Sequence, residues 1–545
     1  MRFLKLFILL ICIQTISAQT EKPNILWITC EDISPDLPVY GDNTAKTPNL
    51  DALAEQSLVY DNAFATVGVC APNRSSIITG MQPISIGTMH MRTGKDVIGW
   101  GSREYEGTDR VDIEGNPIIQ YSAVIPENVK CFTEYLRAEG YYCTNNPKTD
   151  YQFAAPISSW DENGRKAHWK GREEGQPFFS VFNINDTHES KLWKYSDKPL
   201  TVSPEEVEVP PYLPDNAETR ETIARHYSNI ELMDKKVGEL IAELKAEGLY
   251  ENTIIFFYSD HGGPLPREKR AIYDSGLKIP LMIKGLGGTG RTDRMVSCTD
   301  LGPTVLSLAG ISPPDYMDGK AFAGEFNTEP RDYIIGTSDR FDEVTDRMRA
   351  VRTKDYLYIF NFYPEKPRYK DLAYRMNIPM MPKMLELREQ GKLDSIEQIW
   401  FSTKGTEEFY DVKNDPYNVR DISGKAEVAE ELEKHRKLLH DYLFENPDLG
   451  QMPESKLISI MWPEKEQPVT AKPEIERTEK GITVSSKAPG ASLVYMISDL
   501  KDIDTGLDAK WKLYTGPLKV KKGQFLFLRA QRIGYKMSEI VIVES

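Results

Sequence analysis

The stretch NILWITCED, residues 24–32, opens as an apolar run and breaks off at Glu31 and Asp32. A short apolar run without polar alternation fits a strand buried on both faces. Carboxylates at its end fall where open α/β sheets bind ligands, beyond the carboxyl ends of the strands. The same pattern recurs in GYYCTNNPKTD (residues 140–150), PFFSVFNINDTHES (177–190) and TIIFFYSDHGG (253–263), the first of these being the least apolar. Helical patterns lie between them. TPNLDALAEQSLVY (47–60) offers Thr47 as N-cap and Pro48 in the first turn. In ETIARHYSNIELMDKKVGELIAELKAEG (221–248), Ile223, Tyr227, Ile230, Met233, Val237, Leu240 and Leu244 recur at helical spacing until Gly248. Strands alternating with helices predict an α/β protein with a mostly parallel sheet sandwiched by helices.

From about Tyr333 the text changes character. YIIGTSDRFDE (333–343), RMRAVRTKDYLYIFNF (347–362) and EEFYDVKNDPYN (407–418) read as shorter, antiparallel strands, followed by a charged helix from about Lys425 to Leu443. A Pro- and Lys-rich segment, 463–473, reads as a linker. Alternating apolar residues between turn signals then predict a small appended β-sandwich. The expected organisation is a catalytic α/β domain over 19–332, a smaller antiparallel subdomain over 333–462, the linker, and the sandwich over 474–545.

Residues 1–18, MRFLKLFILLICIQTISA, combine basic residues, a short apolar core and small residues at the end. This is the pattern of a secretory signal cleaved after about Ala18. The run is shorter than the roughly 20 residues of a spanning helix, and Cys12 lacks the small residue that precedes a lipidated cysteine. No later segment is apolar enough to span a membrane, so an exported, periplasmic or secreted protein is expected. A formal net charge of −15 argues against general nucleic-acid binding. Beyond the signal the cysteines are Cys30, Cys70, Cys131, Cys143 and Cys298, an odd set in which Cys131 and Cys143 could pair.

Two pairs at two strand ends, Glu31 with Asp32 and Asp260 with His261, are either surface decoration or hard ligands for a divalent cation such as calcium. Cys70 precedes a helix start in GVCAPNRSSIITG (68–80), with Pro72 in the first turn and Arg74 one turn on, a combination that favours an anion. Taken alone, Cys70 is either an inert buried thiol or a thiolate nucleophile.

CAPNRSSIITG (70–80) resembles the signature of the type I sulfatases, in which a cysteine followed by Pro and Arg two and four places on is oxidised to formylglycine during export. NILWITCED is similar to that family's first metal pair, and VYGDNTAKTPNLDALAEQSLVYDNAF (39–64) to its first helix. YSDHGG (258–263) with KRAIYDSGLKIPLMIKG (269–285) resembles the second metal pair and a sulfate-binding lysine. CTDLGPTVLSLAGISPP (298–314), RAVRTKDYLYI (349–359) and EFYDVKNDPYN (408–418) resemble the rest of the sulfatase body, so the likeness covers about 24–449.

The resemblance implies an alkaline-phosphatase-like fold and a calcium ion, rather than magnesium, on Glu31, Asp32, Asp260 and His261, completed by the formylglycine made from Cys70. It assigns Arg74, Lys148 and Lys269 to the sulfate and the hydrated aldehyde, and His188 to protonating the leaving group. A formylglycine-generating maturation enzyme is the implied partner. The sequence departs from the family at Asp150, where a histidine usually follows the lysine by two places; Asp150 or another histidine such as His90 is left to take that role.

GTMHMRTGKDVIGW (87–100), NNPKTDYQF (145–153) and WDENGRKAHWKGR (160–172) resemble the sulfamidase-like branch found in polysaccharide-degrading bacteria. The expected substrate is a sulfated carbohydrate, such as ulvan, carrageenan or a glycosaminoglycan, attacked by an exo-acting O-sulfatase. His90, Arg92, Arg165, His168, Asp339 and Arg340 are the candidate sugar contacts. Rival readings are an N-sulfoglucosamine sulfohydrolase, a phosphatase or phosphonate hydrolase on the same scaffold, and a glycan-binding protein with an inactive sulfatase body.

Overall fold

The computed structural model describes residues 22–93, 110–507 and 509–544. The signal reading, with Cys12, and the end of the 87–100 stretch lie outside them.

The apolar runs become neighbouring strands. The main sheet consists of β1 (Asn24–Cys30), β2 (Ser57–Phe64), β3 (Tyr142–Asn146), β4 (Glu162–Asn163), β5 (Phe178–Ile184), β6 (Thr253–Ser259), β7 (Leu281–Lys284) and β8 (Gly290–Ser297). Its order is β4-β3-β5-β1-β6-β7-β2-β8. Only β7 runs antiparallel to its neighbours. The four strands read from the sequence, β3, β5, β1 and β6, are therefore adjacent and parallel, and their polar ends share one edge.

Strand periodicity divides β1 between two cores. Ile25 and Trp27 face one, with Phe132 and Leu301, while Leu26, Ile28 and Cys30 face the other, with Met233 and Val237. Trp27 packs among Phe132, Phe179, Phe256 and Tyr258 with ring centroids 5.0–5.9 Å away. Truncating it to Ala would cost about 3–5 kcal/mol. On the opposite face the helix Ala217–Ala246 is capped by the Asn216 side chain, which accepts from Thr219 N at 3.0 Å. Its buried Asp234 accepts from the backbone of Asn49 and Leu50, tying it to the start of the helix Pro48–Ala54. At Gly238 a Cβ would lie 2.3 Å from Asn49 Oδ1, so a larger residue there would displace the Asn49 side chain.

A second sheet, β12-β11-β10-β9, is antiparallel: β9 (Ile334–Ser338), β10 (Met348–Arg352), β11 (Tyr356–Asn361) and β12 (Glu407–Asp411). Ile334, Ala350, Leu357 and Tyr410 pack towards Phe64 and Leu277 of the catalytic body, and Ile335, Val351, Tyr358 and Phe409 pack under Leu432 and Leu439 of the helix Ala429–Glu445. In the last part of the chain a two-stranded sheet, β13 (Pro473–Thr478) with β14 (Gly481–Ser486), lies over a four-stranded one, β16-β15-β17-β18. Those four are β15 (Ser492–Ser498), β16 (Lys512–Leu513), β17 (Phe525–Gln531) and β18 (Val541–Glu544). Ile482 and Val484 meet Leu526 and Leu528 between the layers.

This unit is fastened to the catalytic body. Arg137 donates to Trp511 O at 2.7 Å, Lys130 to Gly490 O at 2.6 Å, and Ile157 N to the Gln531 side chain at 2.9 Å. The segment expected as a linker is pinned too, through Thr470 N to Lys536 O at 3.0 Å and Gln467 to Gly534 O at 3.0 Å. Cys131 and Cys143, suggested as a pair, are free buried thiols, as are Cys30, Cys70 and Cys298.

Candidate active site

Register brings the two acidic pairs together. Cys30, the last residue of β1, lies opposite Ile184 of β5 and Ser259 of β6. Glu31 with Asp32 and Asp260 with His261 therefore leave adjacent strands at the same height, and all four are buried. Cys70 begins the helix Cys70–Thr79 above them, its Sγ 3.3 Å from His261 Nε2, 3.4 Å from Lys269 Nζ and 3.9 Å from Asp32 Oδ1. Arg74, one helical turn on, donates to Asp260 Oδ2 at 3.0 Å and Asn183 Oδ1 at 2.7 Å, and reaches Glu31 Oε1 at 3.5 Å.

Ligand atoms of Asp32, Cys70, Asp260 and His261 all lie within 4.8 Å of one another, and a second set joins Glu31, Asp32, Cys70 and His188. Glu31 Oε1 is buried without a hydrogen-bond partner. Buried carboxylate oxygens with one imidazole are the donor chemistry of a hard divalent cation, which these residues fit. The demand for positive charge shows in His261: burial opposes its protonation, but Asp260, Cys70 and Asp32 overcome that and carry its pKa up to about 10.

Cations ring the thiol. Lys148, beyond β3, pairs with Glu31 Oε2 at 3.0 Å and Asp150 Oδ2 at 3.4 Å. Lys269 pairs with Asp32 Oδ2 at 2.5 Å and Glu189 Oε2 at 3.7 Å. Asp150 is gripped by Arg92 at 2.9 Å. Burial pushes the Asp150 carboxyl up, but Arg92, Lys148 and Arg74 outweigh it and leave its pKa below the ordinary value. It is therefore an ionised counter-charge at neutral pH.

His188 Nδ1 accepts from Ser190 N at 3.1 Å, which places the proton of the neutral ring on Nε2. That atom lies 3.6 Å from Glu31 Oε2. Burial and then the Lys269 charge hold the His188 pKa well below its ordinary value. Asp32, Arg92, Asp150, Arg270 and Asp342 all take left-handed backbone conformations, with φ between 49 and 70°. Strain in non-glycine residues concentrates at functional sites because the surrounding packing must hold it.

The sugar-contact candidates part company. His90 is buried 3.8 Å from Glu454 Oε2. Asp339 pairs with Arg349 at 3.0 Å, and Arg340 is fully enclosed against Glu454 at 2.7 Å and Met91 O at 2.9 Å. Both are engaged in the body of the protein. His168 packs against Trp169 with tilted rings, centroids 4.1 Å apart, and faces Glu243 at 3.4 Å. Arg165 is exposed, its carbonyl held by Asn146 at the end of β3. Arg92 joins the site through Asp150.

Several contributors were not singled out from the sequence. Asn183 links Arg74 to Asn145, and Asn73 fixes the Asp260 carbonyl while accepting from Thr66 N at 2.9 Å. Glu189 receives Lys269 and Arg270, the latter at 2.9 Å, and donates its backbone N–H to Asp32 at 2.6 Å. Adjacency was the available signal, since Asn183 and Glu189 lie in the 177–190 stretch and Asn73 within the signature.

A model of the Sulfatase family matches residues 23–154 and 161–311, spanning the whole of this site. The chain belongs to the sulfatase family. A second model, N-sulphoglucosamine sulphohydrolase, C-terminal, matches residues 267–379. An ulvan-active sulfatase of Formosa agariphila is 40% identical over 565 residues, covering 96% of this chain and 92% of that protein. The N-sulphoglucosamine sulphohydrolase of Homo sapiens is 23% identical, covering 78% and 90% respectively. Among solved structures, one bound to its substrate D-glucosamine-2-N,6-O-disulfate superposes with a TM-score of 0.54 at 16% identity, covering 78% of this chain and 99% of that one. This sulfatase is accordingly a sulfuric ester hydrolase on an alkaline-phosphatase-like sheet.

Proposed function

We propose that this sulfatase is an exported enzyme that removes sulfate ester groups from a sulfated polysaccharide or its oligosaccharides, ulvan being the leading candidate. The observation that carries the reading is the position of Cys70, buried at a helix start between four metal-type donors and the cations Arg74, Lys148 and Lys269. The relative that shares 40% identity over nearly the whole chain, an ulvan-active sulfatase, supports the substrate class.

Glu31, Asp32, Asp260 and His261, with residue 70, would hold a calcium ion, which supplies Lewis-acid stabilisation of negative charge on oxygen. Formylglycine made from Cys70 supplies an aldehyde hydrate, whose second hydroxyl offers an exit for sulfate that serine or an unmodified thiol lacks. Everything else is work for the chain's own side chains. Arg74 is locked by Asp260 and Asn183, so its guanidinium meets an incoming sulfate without reorganising. Lys148, just beyond β3, and Lys269, in the loop after β6, take charge from the sulfate oxygens at residue 70. His188, with Nδ1 committed to Ser190 N, presents its Nε2–H to the bridging oxygen of the leaving sugar. Asp150 keeps Lys148 and Arg92 in place as a fixed anion, in the position where a base would otherwise stand.

The test is mass spectrometry of the peptide carrying residue 70, from protein made in a maturation-competent host, together with turnover of defined sulfated oligosaccharides. Conversion to the aldehyde and release of sulfate from ulvan fragments, in preference to carrageenan or glycosaminoglycan fragments, are the expected results. An unmodified thiol in a protein that binds sugar without turnover would overturn the enzymatic reading, and preference for an aryl phosphate over an aryl sulfate would overturn the choice of ester.

A further inference from the structure

Behind the loop that carries Lys269 lies a cavity lined by an unusual concentration of cations: Arg267, Lys269, Arg270, Arg368, Lys370 and Arg375. Trp400, Tyr273 and Met348 complete its walls, and all but Arg368 among the six cations are buried. Three of the cations are accounted for by carboxylates. Lys269 has Asp32 and Glu189, Arg270 has Glu189 and Asp342, and Arg368 has Glu408 at 3.3 Å.

The other three are not balanced. Arg375 donates to the carbonyls of Lys370 at 3.0 Å and Lys269 at 3.2 Å and lies over Trp400, with no carboxylate partner among the described residues. Arg267 is only 1% exposed, donates to the carbonyls of Tyr417 and Asn418, and sits over the rings of Tyr212 and Tyr273, again without a carboxylate. Lys370 has Asp346 at 3.6 Å, but Lys404 holds the same carboxylate oxygen at 2.8 Å. Burying a charge without a counter-charge is strongly unfavourable. Carbonyl oxygens and ring faces offset part of that, yet the cavity keeps a net excess of positive charge in a low-dielectric setting. Burial, with the Lys404 charge and against the pull of Asp346, leaves Lys370 at about 8, and burial with the Arg270 charge lowers Arg375 to about 10.

We propose that this cavity binds a small inorganic anion, a halide or sulfate, between Arg375, Lys370 and Arg267. Arg375 donates to the Lys269 carbonyl, so the bound anion also braces the loop that presents Lys269 to the reaction centre. The cavity adjoins the sulfate pocket through Lys269, which lines it and reaches Cys70 Sγ at 3.4 Å; the three cations proposed to hold the anion, Arg267, Lys370 and Arg375, are separate from the contacts that bind Arg74, Lys148 and His188 together.

The test uses the full-length protein in gluconate buffer, a bulky organic anion serving as the reference, with gluconate replaced stepwise by chloride, bromide or sulfate at fixed ionic strength. A saturating rise in Tm of about 2 °C or more is expected for the anion that fits. Chloride and bromide acting alone would identify a halide site, and sulfate acting alone an oxyanion site. Arg375→Gln and Lys370→Met should abolish the rise, whereas Lys148→Ala, which disables the pocket at Cys70, should keep it and so separate the two sites. Crystals of the wild-type protein soaked in bromide provide a readout that does not depend on the variants folding, with an anomalous peak among the three cations expected. Equal Tm in all four salts, or bromide peaks only elsewhere on the protein, would overturn the proposal.

Discussion

Around Arg340 and Arg349 every carboxylate faces a guanidinium: Arg340 clasps Glu454 through two nitrogens, and Arg349 joins Asp339 at 3.0 Å and Asp448 at 2.8 Å. Around Cys70 the ligand atoms of Asp32, Asp260, His261 and Cys70 instead gather within 4.8 Å of one another, with His261 Nε2 reaching both Asp32 and Asp260. Both clusters are buried and both mix Asp, Glu, Arg and His. The difference lies in pairing: a guanidinium fork facing a carboxylate closes a structural contact, whereas acids facing each other and a thiol leave a demand for a cation and a place for an anionic substrate.

The sharpest way to break that contrast is at residue 70. Cys70→Ser is expected to lower turnover of a sulfated sugar by at least about 10³-fold, since it removes the group on which the other side chains act together. Its Tm should move little, because a hydroxyl occupies nearly the same space. Removing divalent cations with a chelator should next lower both activity and Tm, with calcium restoring them. If chelation leaves Tm and turnover unchanged, the converging carboxylates are not a cation site.

The paired cluster should respond in the opposite way. Arg349→Met strands Asp339 and Asp448 in the interior and is expected to cost about 3–5 kcal/mol by denaturant unfolding, while turnover per folded molecule stays near the wild-type value. Asp150→Asn tests the join between sugar site and reaction centre. Losing the counter-charge that orients Lys148 and Arg92 should reduce kcat by about 10- to 100-fold with a smaller change in Tm. A flat pH profile of the residual activity between wild type and variant would fit a positioning role; loss of a titrating limb would instead make Asp150 a proton carrier.

The paired cluster should also show in acid stability. Arg340 and His90 outweigh burial and hold the Glu454 carboxyl at about 2, against 4.5 for a free glutamate. A depressed carboxylate pKa stabilises the fold fully above the unfolded value, and the contribution is lost as pH falls from about 4.5 towards 2. Glu454→Gln should lower stability at neutral pH and flatten this part of the curve, measured by unfolding at a series of pH values.

Much of the site was legible because its chemistry is local. Cys70, Pro72 and Arg74 stand within one turn of helix, and each metal-type pair is two successive residues at a strand end. Asp339 and Arg340 illustrate the limit. As neighbouring charges in the 333–343 stretch they stand as candidate sugar contacts, but Glu454 lies 114 residues further along the chain from Arg340, and no local pattern announces it. The 463–473 segment shows the same limit for backbone: its composition reads as a linker, while its hydrogen bonds to Gly534 and Lys536 decide that it is held.

The family likeness placed Cys70 in a sulfatase signature; by itself the sequence determined four of the buried parallel strands, β1, β3, β5 and β6, and the ionisable residues that cluster at their ends. Those are properties of hydrophobic period and short spacing, which a chain carries before it folds. Tertiary structure alone decided which charges neutralise each other. Strand register set Cys30 beside Ser259 and Ile184 and so brought the two acidic pairs to one height. The packing of distant segments gave Arg340 to Glu454 and Asp150 to Arg92 and left Arg375 without a carboxylate partner among the described residues. Coulomb energy depends on distances of a few ångströms between residues far apart in the chain, and only folding sets those distances.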